Sequence, residues 1–253
     1  MTNADGSNRG ELVVLGVLVA AGLIIGGWAL GTQIKATRLA DRYVTVKGLV
    51  ERNVKSDLAI WSLSYKEAGD DLAAVYAKSE ADKNTILQFL QQQGIRDDEI
   101  VTGLVRVVDT QANEYGGMNR APKRYIVEQE ITVRTARVDQ VAAAAQKSMQ
   151  LVQKGIVLSS SPGQGLVYKF TGLNKIKPDM ITEATKNARA AADRFAQDSG
   201  SQVGSIRQAN QGTFSISPAD QAGDVGEGGG YGGEGSMMKA VRVVTTVQYY
   251  LEK

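Results

Sequence analysis

Residues 125–133 read YIVEQEITV. Along an extended chain Tyr125, Val127, Ile131 and Val133 point one way, and Glu128, Glu130, Thr132 and Arg134 the other, which is the period-two pattern of a strand with one face buried and one in water. Antiparallel sheets tolerate such a solvated face, whereas fully covered parallel strands read as continuous apolar runs. Working outward, strand patterns recur in YVTVKGLV (43–50), LAIWSLSYK (58–66), IVTGLVRVV (100–108) and VRVVTTVQYYL (241–251).

Three helical patterns lie between these strands. The first, about 70–93, spaces Leu72, Val75, Tyr76, Ser79, Lys83, Ile86, Leu87 and Leu90 on a 3.6-residue stripe. The second, about 138–154, does so with Val138, Val141, Ala142, Ala145, Met149 and Val152. The third is expected to start at Pro178, a residue suited to a first helical turn, and carries Ile181, Ala184, Ala188, Ala191 and Phe195. Each ends at a glycine, Gly94, Gly155 or Gly200, where a left-handed cap costs little. The alanines predict close packing against a sheet or a neighbour. Adjacent strands interrupted by helices predict an α+β fold, antiparallel sheets packed with three helices, rather than a doubly wound parallel sheet. Pro122, Pro162, Pro178 and Pro218 are all placed in loops or at helix starts.

The N-terminal region has a different character. Residues 12–31, LVVLGVLVAAGLIIGGWALG, are uncharged and follow a polar tail over 1–11. Twenty helical residues at ~1.5 Å each reach across the roughly 30 Å of a bilayer's hydrocarbon core, which predicts a transmembrane anchor with a juxtamembrane linker over 32–41. A cleaved signal peptide is the competing reading, with Ala29-Leu30-Gly31 as a small-residue cut site, although the apolar run exceeds the usual ~7–15 residues. Gly22 and Gly26, then Gly27 and Gly31, sit four apart and would let neighbouring helices approach closely. The cluster Lys35, Arg38, Arg42 and Lys47 favours a cytoplasmic domain by the positive-inside rule.

Composition narrows the chemistry. The 253 residues contain no Cys and no His, with 29 Lys and Arg against 27 Asp and Glu, a net charge of +2. These zeros remove disulfides, thiolate and imidazole metal sites and every His-based catalytic triad. Acid–base work would fall to carboxylates, Lys or Tyr. The near-zero charge argues against nucleic acid as a partner. The reading is therefore of a protein that is not an enzyme, with no cofactor and no metal; carboxylates such as Asp57 or Glu67 are the residual catalytic candidates.

Weaker signals read as structure. Gly228, Gly230 and Gly233 fit G-x-G-x-x-G, but a strand follows where a dinucleotide site needs a helix N-terminus. They belong to residues 217–238, with eight glycines and four acids (Asp220, Asp224, Glu227, Glu234), expected to be a flexible hairpin loop. Asp97, Asp98 and Glu99 read as turn residues. Trp61 and Tyr65, and Tyr249 and Tyr250 on the final strand, read as core or interface aromatics rather than a ligand platform.

Several segments together carry a resemblance. YVTVKGLVERNVKSDLAIWSL, GIRDDEI at 94–100, YIVEQEITVR, the stretch from Tyr168 to Gly212 and VRVVTTVQYYLE closely resemble the SIMPL-domain family, the YggE-type envelope proteins of bacteria. The match runs from about Arg42 to Glu252 and is most specific over Asn187–Ala196 with Gly200, Val203 and Gly204. Ser56-Asp57 stands where many relatives have Pro-Asp. The resemblance implies an α+β domain over 42–253, periplasmic or anchored in the bacterial inner membrane, that in some relatives forms closed rings with a channel-like centre. It also implies a loose link to stress tolerance, and it brings no catalytic residues. The resulting expectation is a single-pass membrane protein, its C-terminal domain periplasmic, that self-assembles into a ring or cage; an adaptor for a protein or glycan partner is the alternative.

Overall fold

The computed structural model describes residues 14–24, 26–28, 42–112, 122–159, 165–221 and 235–252. Residues 14–24 and 26–28 are helical, with exposed apolar side chains. Among the described residues the expected membrane-crossing helix over 12–31 is not found; residues 12, 13, 25 and 29–31 are not among them. The stretch 14–24 advances roughly 16 Å at ~1.5 Å per residue, and no helix among the described residues is long and apolar enough to cross a membrane. Gly31 and the linker 32–41 lie outside the described residues.

The ordered elements after Arg42 run β1 (Tyr43–Lys55), β2 (Leu58–Gly69), α1 (Leu72–Gln92), β3 (Ile100–Thr102), β4 (Arg106–Asp109), β5 (Tyr125–Thr135), α2 (Val138–Gln146), α3 (Met149–Gln153), β6 (Leu158–Ser159), β7 (Leu166–Lys169), α4 (Leu173–Asp198), β8 (Gln202–Gln211), β9 (Ser215–Pro218) and β10 (Met238–Glu252). The α+β class and the antiparallel pairing are as the alternation predicts. The chain forms two compact units, and β1, α4 and β10 contribute residues to both.

The first unit contains residues 42–50, 181–212 and 244–252. Strand β10 runs between β1 and β8, and α4 lies on this sheet through Ala188 and Ala192, which pack with Val46, Val247 and Tyr249. Ala184, Ala188, Ala192 and Ala196 form an i, i+4 ridge with almost no exposure. A Cβ at Gly48 would stand 1.8 Å from the Ala184 carbonyl oxygen. Helix backbone and strand backbone therefore touch, which explains both the alanines and the glycine. Phe195, expected on the buried stripe, is instead 60% exposed.

The second unit contains Glu51–Met180 and Thr213–Val243. Its central strands β2 and β5 pair along their whole length, from Ala59 opposite Thr135 to Gly69 opposite Tyr125. Strands β6 and β7 continue the sheet beyond β2, and β3 and β4 beyond β5. Trp61, Tyr65, Phe89, Leu90, Ile131 and Leu151 fill the core against the helices.

Among the described residues after Arg42, four helices stand where three are expected. The 138–154 segment breaks at Lys147 and Ser148, whose N–H groups reach back three residues, to the Ala144 and Ala145 carbonyls, rather than four. That tightening rotates the following turn, so Leu151 is buried while Met149 and Val152 face out. Helix α4 starts at Leu173, placing Pro178 inside it rather than at its first turn. Pro218 ends strand β9, and Pro162 lies outside the described residues. On α1 the buried face holds Asp82 and Phe89, while Leu72 and Tyr76 are exposed.

The three glycine stops are as expected. Gly94, Gly155 and Gly200 have φ of 80°, 85° and 64°. After each, the next residue's N–H bonds the carbonyl five positions back: Ile95 to Leu90, Ile156 to Leu151 and Ser201 to Ala196.

Candidate functional site

The most unusual surface of the second unit is the edge made by β3 and β4. Both pair with β5, but between Thr102 opposite Ile131 and Arg106 opposite Glu128 the edge holds one residue more than its partner. This is a β-bulge, which aims side chains out of the ladder. Gly103 sits at the bulge, its N–H donating to the Glu130 carbonyl at 2.7 Å. A Cβ there would lie 3.0 Å from that same oxygen. The expected continuous strand 100–108 is therefore two short ones, and Leu104 between them is 96% exposed.

Val101, Val105, Val107 and Val108 are exposed around it. The Thr110 N–H bonds the carbonyl of Arg124, the residue just before β5. Because antiparallel bonding alternates along a strand, the N–H and C=O of Val107 point away from β5, along the outer edge. An apolar edge with outward backbone groups is a template for another strand.

The carboxylates weighed as catalytic candidates act as fasteners. Asp57 accepts bonds from the Thr171 N–H at 2.7 Å and the Thr171 hydroxyl at 3.1 Å, tying the start of β2 to the loop before α4. Glu67 accepts from Lys78 at 2.7 Å, and Lys78 reaches Asp82 at 2.9 Å. Glu99 ends a single 3₁₀ turn over Asp97–Glu99, so this segment is the turn it was expected to be. Its buried carboxylate nevertheless accepts bonds from Arg137, the Thr135 hydroxyl and the Arg96 N–H. Burial works to raise its pKa, but these bonds prevail and lower it to about 2. Nothing in the periodicity marks Glu99 or Arg137 as partners, since they stand 38 residues apart.

The aromatic candidates lie mostly inside. Trp61 and Tyr65 are buried in the second unit's core and Tyr249 in the first unit's, with Tyr250 half-buried. The Tyr65 hydroxyl donates to Gln129 Oε1 at 2.6 Å, and Gln129 Nε2 donates to the Gly103 carbonyl at 3.0 Å. This buried chain ties the core to the bulge. Burial pushes the Tyr65 hydroxyl up to about 12. The Arg189 guanidinium stacks 5.2 Å from the Tyr249 ring and bonds the Val203 and Gly204 carbonyls. Among the described residues, a Cβ at Gly22, Gly26 or Gly27 would meet nothing within 4 Å. Among the described residues, no three acidic side chains gather into a metal-ligating group.

With this geometry in view, the comparison with known families becomes specific. A family model described as SIMPL, a protein of unknown function (DUF541), matches residues 44–248. The chain belongs to the SIMPL family. The matched span starts in β1 and ends in β10, so both compact units are parts of the SIMPL domain. No curated protein matches the chain. The segment 222–234, most of the Gly-rich stretch, lies outside the described residues, while its flanks are strand β9 and the start of β10.

Proposed function

We propose that this SIMPL protein works by assembly rather than catalysis: attached to the bacterial inner membrane by its N-terminal apolar segment, it forms a homo-oligomeric ring or cage with its domain in the periplasm. The observation that carries the reading is the β3–β4 edge, where Leu104 stands 96% exposed among valines and Val107 turns its backbone groups outward. Exposed apolar patches of this kind mark interaction sites. The uncharged run 12–31 supports attachment, because its described large apolar residues are all exposed within the single chain. Anchoring confines subunits to two dimensions and raises their effective concentration.

Light scattering on full-length protein in detergent at micromolar concentration is expected to give a mass of several subunits, and electron micrographs closed particles. A monomer would end the reading. A C-terminal alkaline phosphatase fusion is expected to be active; an inactive fusion alongside an active cytoplasmic reporter would place the domain on the other side.

The same edge favours one second reading, an adaptor that accepts a strand from another protein. Order that appears only after a partner is added would select it.

A further inference from the structure

Beyond assembly, the stretch that forms α2, α3 and β6 carries a charge bias of its own. Residues 140–178 contain no Asp or Glu but five lysines, Lys147, Lys154, Lys169, Lys175 and Lys177, although the whole chain has 29 Lys and Arg against 27 Asp and Glu. Within this stretch apolar side chains face out: Met149 is 64% exposed, Val152 48% and Val157 63%. The break at Lys147 and Ser148 is the cause, because it rephases the helix so that Leu151 points inward. Val152 lies three residues beyond Met149, on the same face of α3. Past the Gly155 cap the Ile156 N–H returns to the Leu151 carbonyl, so Ile156 is buried and Val157 turns outward.

Cations flank these apolar side chains, and the acids around them are engaged elsewhere. Lys147, two residues before Met149, and Lys154, two after Val152, are both exposed. Lys147 Nζ bonds a neutral partner, Gln93 Oε1, at 3.0 Å. The exposed residues between them include Gln150 and Gln153, which carry no charge. Asp139 stands about 12 Å back along α2 from Lys147 and is held by Lys55 at 2.6 Å. On α1, which packs on α3, Lys78 binds Asp82 and Lys83 binds Glu80, so that helix adds no net charge. Other exposed apolar side chains have different surroundings: Phe195 stands between Asp193 and Asp198 on α4, and Leu104 lies on a strand edge.

We propose that this face of the second unit is a lipid contact: Met149, Val152 and Val157 enter the headgroup boundary of an anionic bilayer, and Lys147 and Lys154 meet its phosphates. Apolar side chains beside lysines, with no acid among them, are what an interfacial membrane contact requires. Lysine stems lie along apolar surface while their ammonium groups stay at the headgroup level. An anionic leaflet attracts such lysines over roughly a Debye length and would repel carboxylates. An acidic protein would match the lysines as well. Lipid is the partner always within reach, because the apolar segment 12–31 holds the chain at a bilayer and the ten residues 32–41 span at most roughly 33–36 Å. For this proximity, and for nothing else, the contact rests on the membrane attachment proposed above.

The chain has no cysteine, so Met149→Cys and, independently, Val157→Cys each create a unique labelling site at an exposed position. Full-length protein carrying an environment-sensitive fluorophore there is incorporated into nanodiscs of phosphatidylcholine alone or mixed with phosphatidylglycerol. Emission is expected to shift to the blue and rise several-fold in the anionic discs only. It is expected to fall back in about 1 M salt, where the Debye length is about 3 Å, and when Lys147→Glu and Lys154→Glu are added. A label at Asp98→Cys is expected to keep its emission in water throughout. Unchanged emission at both sites in anionic discs, an equal response in neutral discs or at Asp98→Cys, or a response insensitive to both salt and the two Glu substitutions would each overturn the contact. The same response to polyglutamate without lipid would overturn it in favour of an acidic protein. Incorporation into neutral discs reads the N-terminal attachment separately; if that fails, the labelled protein is mixed with preformed vesicles of the same two compositions, and the same outcomes decide.

Discussion

The two units of the domain solve the same packing problem with opposite materials. In the first, α4 meets its sheet through an alanine ridge and a glycine, with backbone against backbone at Gly48. In the second, α1 meets its sheet through Phe89, Leu90, Trp61 and Tyr65, with side chains filling the space between. Close backbone approach leaves no room to adjust, whereas a layer of large side chains can shift rotamers and partly collapse. The first unit should therefore be brittle toward added volume and the second sensitive to lost volume.

The largest expected effect is at Gly48. In Gly48→Val a branched side chain would enter space already held by Ala184 and Ala188 backbone atoms. Ordinary overpacking costs about 1–3 kcal/mol because flexible side chains give way; here the helix itself must move. Exchange protection of residues 184–198 is expected to be lost while the β2–β5 ladder stays protected. Protection retained over α4 would show that the contact is softer than its geometry.

Next comes Phe89→Ala in the second unit. Phe89 is 1% exposed, and deleting such a ring costs about 3–5 kcal/mol by lost transfer energy and an unfilled cavity. Denaturant melts are expected to show that loss with the fold retained. A smaller change would mean that α1 collapses onto the sheet more completely than expected.

Smaller still is Glu99→Gln, which weakens charge-assisted bonds worth about 1.5–3 kcal/mol each but leaves acceptor capacity behind. Its pH dependence carries the information. Because the Glu99 pKa is lowered to about 2, its contribution is full above the unfolded value near 4.3 and is lost as pH falls toward 2. The stability gap between wild type and Glu99→Gln should therefore be constant above pH 5 and close in acid. A gap that widens in acid would show that Arg137 does not hold the carboxylate ionised.

Legibility followed the same division between local and distant causes. The alternation of 125–133, the glycine stops and the alanine-rich helix announce themselves locally, and each is found. The break at Lys147 and Ser148 carries neither Gly nor Pro, so the phase change that buries Leu151 and exposes Met149 leaves no mark in composition. Strand β8 is nearly all exposed and reads QVGSIRQANQ, without the alternation that reveals a strand. The bulged edge was signalled only by Gly103 inside an otherwise apolar run. The Glu99–Arg137 and Glu67–Lys78 pairs are tertiary facts that spacing along one element cannot reveal.

The smallest effect tests where the contrast between units should vanish. Gly155 closes α3 in the second unit at φ 85°, and Gly200 closes α4 in the first at φ 64°. A Cβ at either would meet nothing within 4 Å. Gly→Ala at each therefore adds only the cost of a left-handed residue with a side chain, about 1–2 kcal/mol, and no packing penalty in either unit. The two variants are expected to lower stability by similar amounts in denaturant melts, in contrast to the disparity between Gly48→Val and Phe89→Ala. A Gly200→Ala loss several times that of Gly155→Ala would mean that brittleness in the first unit extends beyond the Gly48 contact to the whole seating of α4, with the cap setting how far the alanine ridge reaches along the sheet.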